Sequence, residues 1–158
     1  RRPAPSWIPG SPGHHEGVLA QTNDGTFAQD EFIRLMEARA LRTKVFRMRD
    51  KKDLMGINRG RKVAAFPLPS DFLVAEPDRV FFAEVKSTTG DRFEYSNIQP
   101  GQRSAASMCA AIGSPYWFFV YSLKLRAWFQ LPASQFVADI KAGKKSRNFQ
   151  ELDICSMM

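Results

Sequence analysis

Two runs near the middle of the chain are rich in β-branched and aromatic residues: residues 69–75, Pro-Ser-Asp-Phe-Leu-Val-Ala, and residues 80–86, Val-Phe-Phe-Ala-Glu-Val-Lys. The residues between them, Glu76-Pro77-Asp78-Arg79, are turn formers, so the pattern predicts a β-hairpin. A four-residue loop makes Ala75 face Val80, and counting along the ladder sets Asp71 opposite Glu84. Side chains alternate along a strand, which places Asp71, Glu84 and Lys86 on one face and Phe72, Val74, Phe81, Ala83 and Val85 on the other, core-facing side. Two carboxylates directly opposite repel each other, a cost that a bridging cation removes. The end of the hairpin is therefore a candidate metal site.

Upstream, Asn23 or Asp24 can cap a helix over residues 26–41, in which Leu41, Phe27, Ala38, Leu35, Ala28, Phe32 and Met36 form one apolar arc. Glu31 falls inside that arc and needs a partner: either Arg34 one turn on, or the hairpin site. Residues 43–49 read as a first strand. Downstream, residues 87–92 read as a polar turn. Pro100 then opens a helix that stops at Gly113, with Gln102 in its first turn. Residues 116–121 and 125–131 are two more strands, and Trp117, Phe118, Phe119, Trp128 and Phe129 supply most of the aromatic core. A short helix from Pro132 or Ser134 to about Ala142 and an amphipathic tail follow. This order of elements predicts an α/β domain with a mixed sheet flanked by helices over residues 26–158. Residues 1–25, with four prolines, four glycines and no hydrophobic period, read as an irregular arm. Trp7 and Ile8 are its candidate docking residues, and the His14-His15 pair within it is read as incidental.

Charge sharpens the picture. The net charge is +7, and residues 34–62 hold eleven Lys or Arg against three acids. A polyanionic partner, nucleic acid above all, is expected. Lys51, Lys52, Arg59, Arg61 and Lys62 form a glycine-containing basic loop before the hairpin, and Lys144, Lys145 and Arg147 form a second cluster; both are candidate DNA contacts. Two cysteines, Cys109 and Cys155, give no zinc or disulfide framework, so a reducing, intracellular compartment is expected. No apolar run reaches the roughly 18 residues a membrane helix needs. The chain opens at Arg1 rather than a methionine, as a processed or trimmed chain would.

Asp71 followed by Glu84-Val85-Lys86 on the next strand resembles the signature of the PD-(D/E)xK nuclease superfamily. The Pro-Ser-Asp-Phe opening, the twelve residues between Asp71 and Glu84, and a glutamine beyond the lysine look most like Holliday-junction resolvases of the RecU type. The resemblance runs from about Glu31 to Gln102. It implies a restriction-endonuclease-like core and a homodimer acting on branched DNA. It also implies Asp71, Glu84 and Lys86 as catalytic residues, with Gln102 nearby and Glu31 as the helical glutamate that completes the metal shell. Ligation by Asp71, Glu84, the Val85 carbonyl and Glu31 is all-oxygen, which favours Mg²⁺, with Mn²⁺ as a substitute. Residues 50–68, where the resembled resolvases carry a junction-reading stalk, are basic but short. A repair or restriction-type endonuclease, and a non-catalytic DNA-binding module, are the other readings.

Overall fold

Hydrogen bonds inside the loop close the hairpin: Glu76 and Arg79 exchange backbone bonds at 2.8 and 3.4 Å, and the Arg79 guanidinium returns to the Glu76 carboxylate at 2.5 Å. The computed structural model describes residues 25–39, 42–48 and 68–154. The strands of the hairpin are β2 (Phe72–Ala75) and β3 (Val80–Thr88), preceded by β1 (Lys44–Arg47). Ala75 pairs with Val80, Val74 with Phe81, Leu73 with Phe82 and Phe72 with Ala83, the register expected of a four-residue loop. Residues 1–24 of the arm, with the caps Asn23 and Asp24, and the basic residues Lys51, Lys52, Arg59, Arg61 and Lys62 lie outside the described residues.

After β3 come β4 (Arg92–Glu94), α2 (Pro100–Ile112), β5 (Tyr116–Ser122), β6 (Ala127–Pro132), α3 (Ala133–Lys141), β7 (Ser146–Asn148) and β8 (Asp153–Ile154). The main sheet has the order β1-β2-β3-β5-β6-β8. Its β3–β5 pair is parallel and its other pairs are antiparallel, so the sheet is mixed. Parallel neighbours cannot be joined by a hairpin, and α2 lies in the crossover. Its ends follow the residues: Pro100 starts it, and Gly113 ends it at φ 72°, a left-handed conformation that glycine adopts without strain.

Helix α1 (Thr26–Arg39) covers one face of the sheet. Ala28, Phe32 and Met36, spaced by four, form its buried stripe against Phe72, Val74, Phe81, Ala83, Val85, Phe119 and Trp128. The Phe32 ring lies 5.4 Å from that of Phe72 and 4.9 Å from that of Phe119. Burying one such side chain contributes about 1.5–3 kcal/mol. Helices α2 and α3 cover the opposite face, where Ala106, Phe118, Val120, Leu131 and Phe136 pack. The result is an α/β domain with a central mixed sheet flanked by helices.

Several local expectations are corrected. Phe27 and Ala38 of the anticipated arc are exposed, because the face α1 buries is narrower than its apolar surface. β3 runs two residues past Lys86, since β5 pairs it as far as Thr88, and the polar turn shrinks accordingly. The start of β6 shifts to Ala127, because the turn from β5 takes residues 123–126, with Arg126 at φ 50°. The tail is a 3₁₀ turn (Phe149–Glu151) followed by β8, and β4 pairs with β7 in a small second sheet.

That second sheet brings Arg147 to a buried carboxylate. Arg147 Nη2 donates to Asp139 Oδ1 at 2.9 Å, and its Nε lies 2.9 Å from Oδ2, off the line of a hydrogen bond, where it acts by charge alone. Tyr95 Oη also donates to Asp139, and Gln135 Nε2 does so at 3.2 Å. Burial pushes the Asp139 carboxyl up, but the bonds from Tyr95, Arg147 and Gln135 outweigh it and hold the group below its ordinary value. Arg147, placed among the candidate DNA contacts because it ends a basic run, is thus also engaged within the fold, by Asp139. Removing one partner of a buried pair leaves an uncompensated charge, so Arg147→Met should cost about 3 kcal/mol in urea unfolding. Since the lowered Asp139 value favours the folded state above the ordinary carboxylate range, this stabilisation should disappear as the pH falls through it. Stability unchanged by Arg147→Met at pH 7 would refute the assignment.

Candidate active site

β2 pairs with β3 only as far as Phe72 and Ala83, whereas β3 continues beside β5 to Thr88. Past Ala83, β3 has one edge that β2 does not cover. Asp71, immediately before β2, caps it: its Oδ2 accepts a hydrogen bond from Val85 N at 2.9 Å. The N–H and C=O of one residue leave a strand on the same edge, so the Val85 carbonyl faces the same open side.

Glu84 projects from β3 toward α2 and is fully buried. Its Oε1 accepts from Lys86 Nζ at 2.7 Å and from Gln102 Nε2. Its Oε2 is buried without a hydrogen-bond partner among the described residues. Gln102 is itself locked by a capping box: its Oε1 accepts from Gln99 N at 2.9 Å, and the Gln99 side chain accepts from the Gln102 backbone. Burial, and after it the charge of Asp71, pushes the Glu84 carboxyl up to about 8, and Lys86 reverses only part of this. A cleft of about 560 Å³ opens beside these groups, lined by Asp71, Val85 and Lys86, by Gln29 of α1, and by Asn97, Gln99 and Gln102.

The residue set fits a hard divalent cation. An unpartnered buried carboxylate oxygen, a second carboxylate and a backbone carbonyl are oxygen donors beside one cleft. Among the described residues no third His, Cys, Asp or Glu joins them to form a metal cluster. A mostly apolar cavity of about 500 Å³ between α2 and α3, lined by Phe136, Val137 and Ile140, shares no residue with this cleft.

The structure brings Asp71, Glu84, Val85, Lys86 and Gln102 together and leaves Glu31 out. Arg34 Nε and Nη2 donate to the two Glu31 oxygens at 2.8 and 2.6 Å, and these bonds hold the Glu31 carboxyl below its ordinary value. Where Glu31 was expected to complete the metal shell, its carboxylate is engaged by Arg34, and the α1 side chain on the cleft is Gln29. At about 100° per residue, Gln29 and Glu31 flank opposite edges of the Ala28–Phe32–Met36 stripe, and only the Gln29 edge turns to the hairpin end. Apart from Gln102, the amide side chains at the cleft were missed. Gln29 lies beside the apolar arc, and that proximity was the available signal. Of the second basic cluster, Lys145 is exposed, while Lys144 lies 3.7 Å from Asp139 and 3.9 Å from Glu151. Among the described residues no helix is long and apolar enough to cross a membrane.

No family model matches the chain, and no curated protein matches it by sequence. Among solved structures it is similar to that of Hjc, a Holliday junction resolvase from the archaeal hyperthermophile Archaeoglobus fulgidus. Identity is 13%, the TM-score is 0.44, and the match covers 70% of this chain and 73% of that one.

Two measurements follow from this geometry. With a folded pKa near 8 against an ordinary 4.5, Glu84 keeps its proton in the folded chain where the unfolded chain has lost it. Its contribution is fully present below about 4.5 and lost as the pH rises through about 8. In chelator, the stability of wild type relative to Glu84→Gln should therefore fall between those limits. A difference that stays flat would refute the shift. Glu31→Gln should leave any DNA cleavage and Mn²⁺ affinity unchanged, and a strong loss of either would return Glu31 to the site.

Proposed function

We propose that this chain is a Mg²⁺-dependent endodeoxyribonuclease of the PD-(D/E)xK type that cuts branched DNA, most simply a four-way junction, as a homodimer. The observation that carries the proposal is Asp71 and Lys86 lining one cleft beside the buried Glu84, one of whose oxygens has no partner among the described residues. The excess of positive charge supports a polyanionic substrate. The branched-DNA and homodimer parts rest on the resemblance of the Asp71, Glu84-Val85-Lys86 and Gln102 pattern to RecU-type resolvases. Mn²⁺ would substitute for Mg²⁺ on the same oxygen donors.

Asp71, Glu84 Oε2 and the Val85 carbonyl are the groups that would hold the ion. When bound, such an ion supplies a water acidic enough to attack near neutral pH and offsets charge on the phosphoryl and leaving oxygens. Gln102 does the orienting: it donates to Glu84 Oε1 and is fixed by its capping box, which leaves Oε2 uncommitted for an ion. Lys86 spans Glu84 and the cleft, so its ammonium stabilises charge gathering at phosphorus and orients the attacking water. The resemblance implies products with 5′-phosphate and 3′-hydroxyl ends.

Asp71→Asn, Glu84→Gln and Lys86→Ala should each abolish Mg²⁺-dependent nicking in a folded protein. The two acid changes should weaken Mn²⁺ binding by calorimetry, whereas Lys86→Ala should spare it. Turnover near wild type in any of the three would sink the site. A panel of four-way junction, flap, linear duplex and single strand, with Ca²⁺ as the binding-competent but inert ion, reads the substrate. Equal cleavage of junction and linear duplex would replace the resolvase with a general endonuclease.

A further inference from the structure

Gln29 stands one turn into α1 on the cleft, and its oxygen is already committed. Arg47 Nη2, from β1, donates to Gln29 Oε1 at 3.2 Å and to Asp30 Oδ1 at 3.2 Å. The Arg47 guanidinium also lies 5.7 Å from the centre of the Phe72 ring, next in sequence to Asp71. A guanidinium carries donors and no acceptor, so the Gln29 amide must turn its oxygen to Arg47. What the side chain then offers the cleft is its NH₂, a pair of donors with no negative charge. An amide so held is a poor metal ligand and a good partner for an acceptor-only anion.

We propose that Gln29 donates a hydrogen bond to a phosphate oxygen of the bound nucleic acid, and that Arg47 is the positioning residue that turns the amide toward it. The proposal rests on the nuclease reading of the same cleft and adds a substrate contact from α1 to it. Gln29 is neutral, so its contact displaces no counterion, unlike a lysine on phosphate. Gln29→Glu puts an anion where the phosphate would sit, and is therefore the more damaging change.

The test is anisotropy of a labelled four-way junction in Ca²⁺ across a salt series, with Mn²⁺ calorimetry alongside. Gln29→Ala should lose about tenfold in DNA affinity, in line with a hydrogen bond to a charged group, with the slope of log K against log salt unchanged. Gln29→Glu should lose more, and the Mn²⁺ affinity of Gln29→Ala should match wild type. Arg47→Met should weaken binding in the wild-type background and add nothing to Gln29→Ala, with no change of salt slope. An effect of Arg47→Met that persists in Gln29→Ala, or that lowers the slope, would overturn the positioning role. Unchanged DNA affinity in Gln29→Ala, or tighter Mn²⁺ binding in Gln29→Glu, would overturn the phosphate contact. Wild type that binds and nicks DNA while Gln29→Ala equals it defeats this inference alone; wild type that binds no DNA defeats the nuclease reading as well.

Discussion

The hydrogen bond from Val85 N to Asp71 Oδ2 does for β3 what a longer β2 would do. β2 ends its pairing at Phe72 while β3 runs on beside β5, which leaves β3 with an edge that β2 does not cover. A buried backbone N–H without a partner costs about 1–3 kcal/mol, so something must satisfy Val85. A carboxylate satisfies it and at the same time brings charge to a bare edge that a cleft can reach. The bond therefore closes the sheet and sets Asp71 beside Glu84. Had β2 continued, its backbone would occupy the place where the cleft opens.

Glu84 carries the cost of that arrangement. It is buried, it faces a second carboxylate, and one of its oxygens is unpartnered among the described residues. In a domain stabilised by about 5–15 kcal/mol, such a group persists only where neighbours offset it. Lys86 and Gln102 both hold Oε1, and Gln102 is itself pinned by Gln99. The neighbours thus over-determine one oxygen and spare the other. A residue kept for packing alone would show the opposite, with both oxygens satisfied or replaced by an apolar side chain of the same shape.

The hairpin was legible because its constraints are local. A four-residue loop and a period of two leave one register that buries Phe72, Val74, Phe81, Ala83 and Val85 together, and that register sets where Asp71 and Glu84 meet. Helix α2 was legible for the same reason, with Pro100 and Gly113 at its ends. What was not legible depends on how separate elements sit against each other. Gln29 and Glu31 bracket the same buried stripe, and only the setting of α1 on the sheet decides which edge meets the cleft. Arg147 was read as a candidate DNA contact because its partner, Asp139, is on another element, and a run of basic residues does not reveal that pairing. Tertiary placement, not propensity, decided these cases.

The charge balance of the cleft gives the chemistry its direction. With Glu84 pushed up to about 8 and so holding its proton near neutral pH, Asp71 set against Lys86 leaves the ion-free site close to neutral, without the net positive charge that would draw in a phosphate. A divalent ion that displaced the Glu84 proton and sat on both carboxylates would bring the balance to about one positive charge. The remaining walls suit that change: Gln29, Asn97, Gln99 and Gln102 carry dipoles and no charge. A third carboxylate there would cancel the gain, whereas amides can donate to a phosphate without competing for the ion. The neutral wall is thus the complement of the carboxylate pair. It lets a single divalent cation turn a near-neutral cleft into an attracting one.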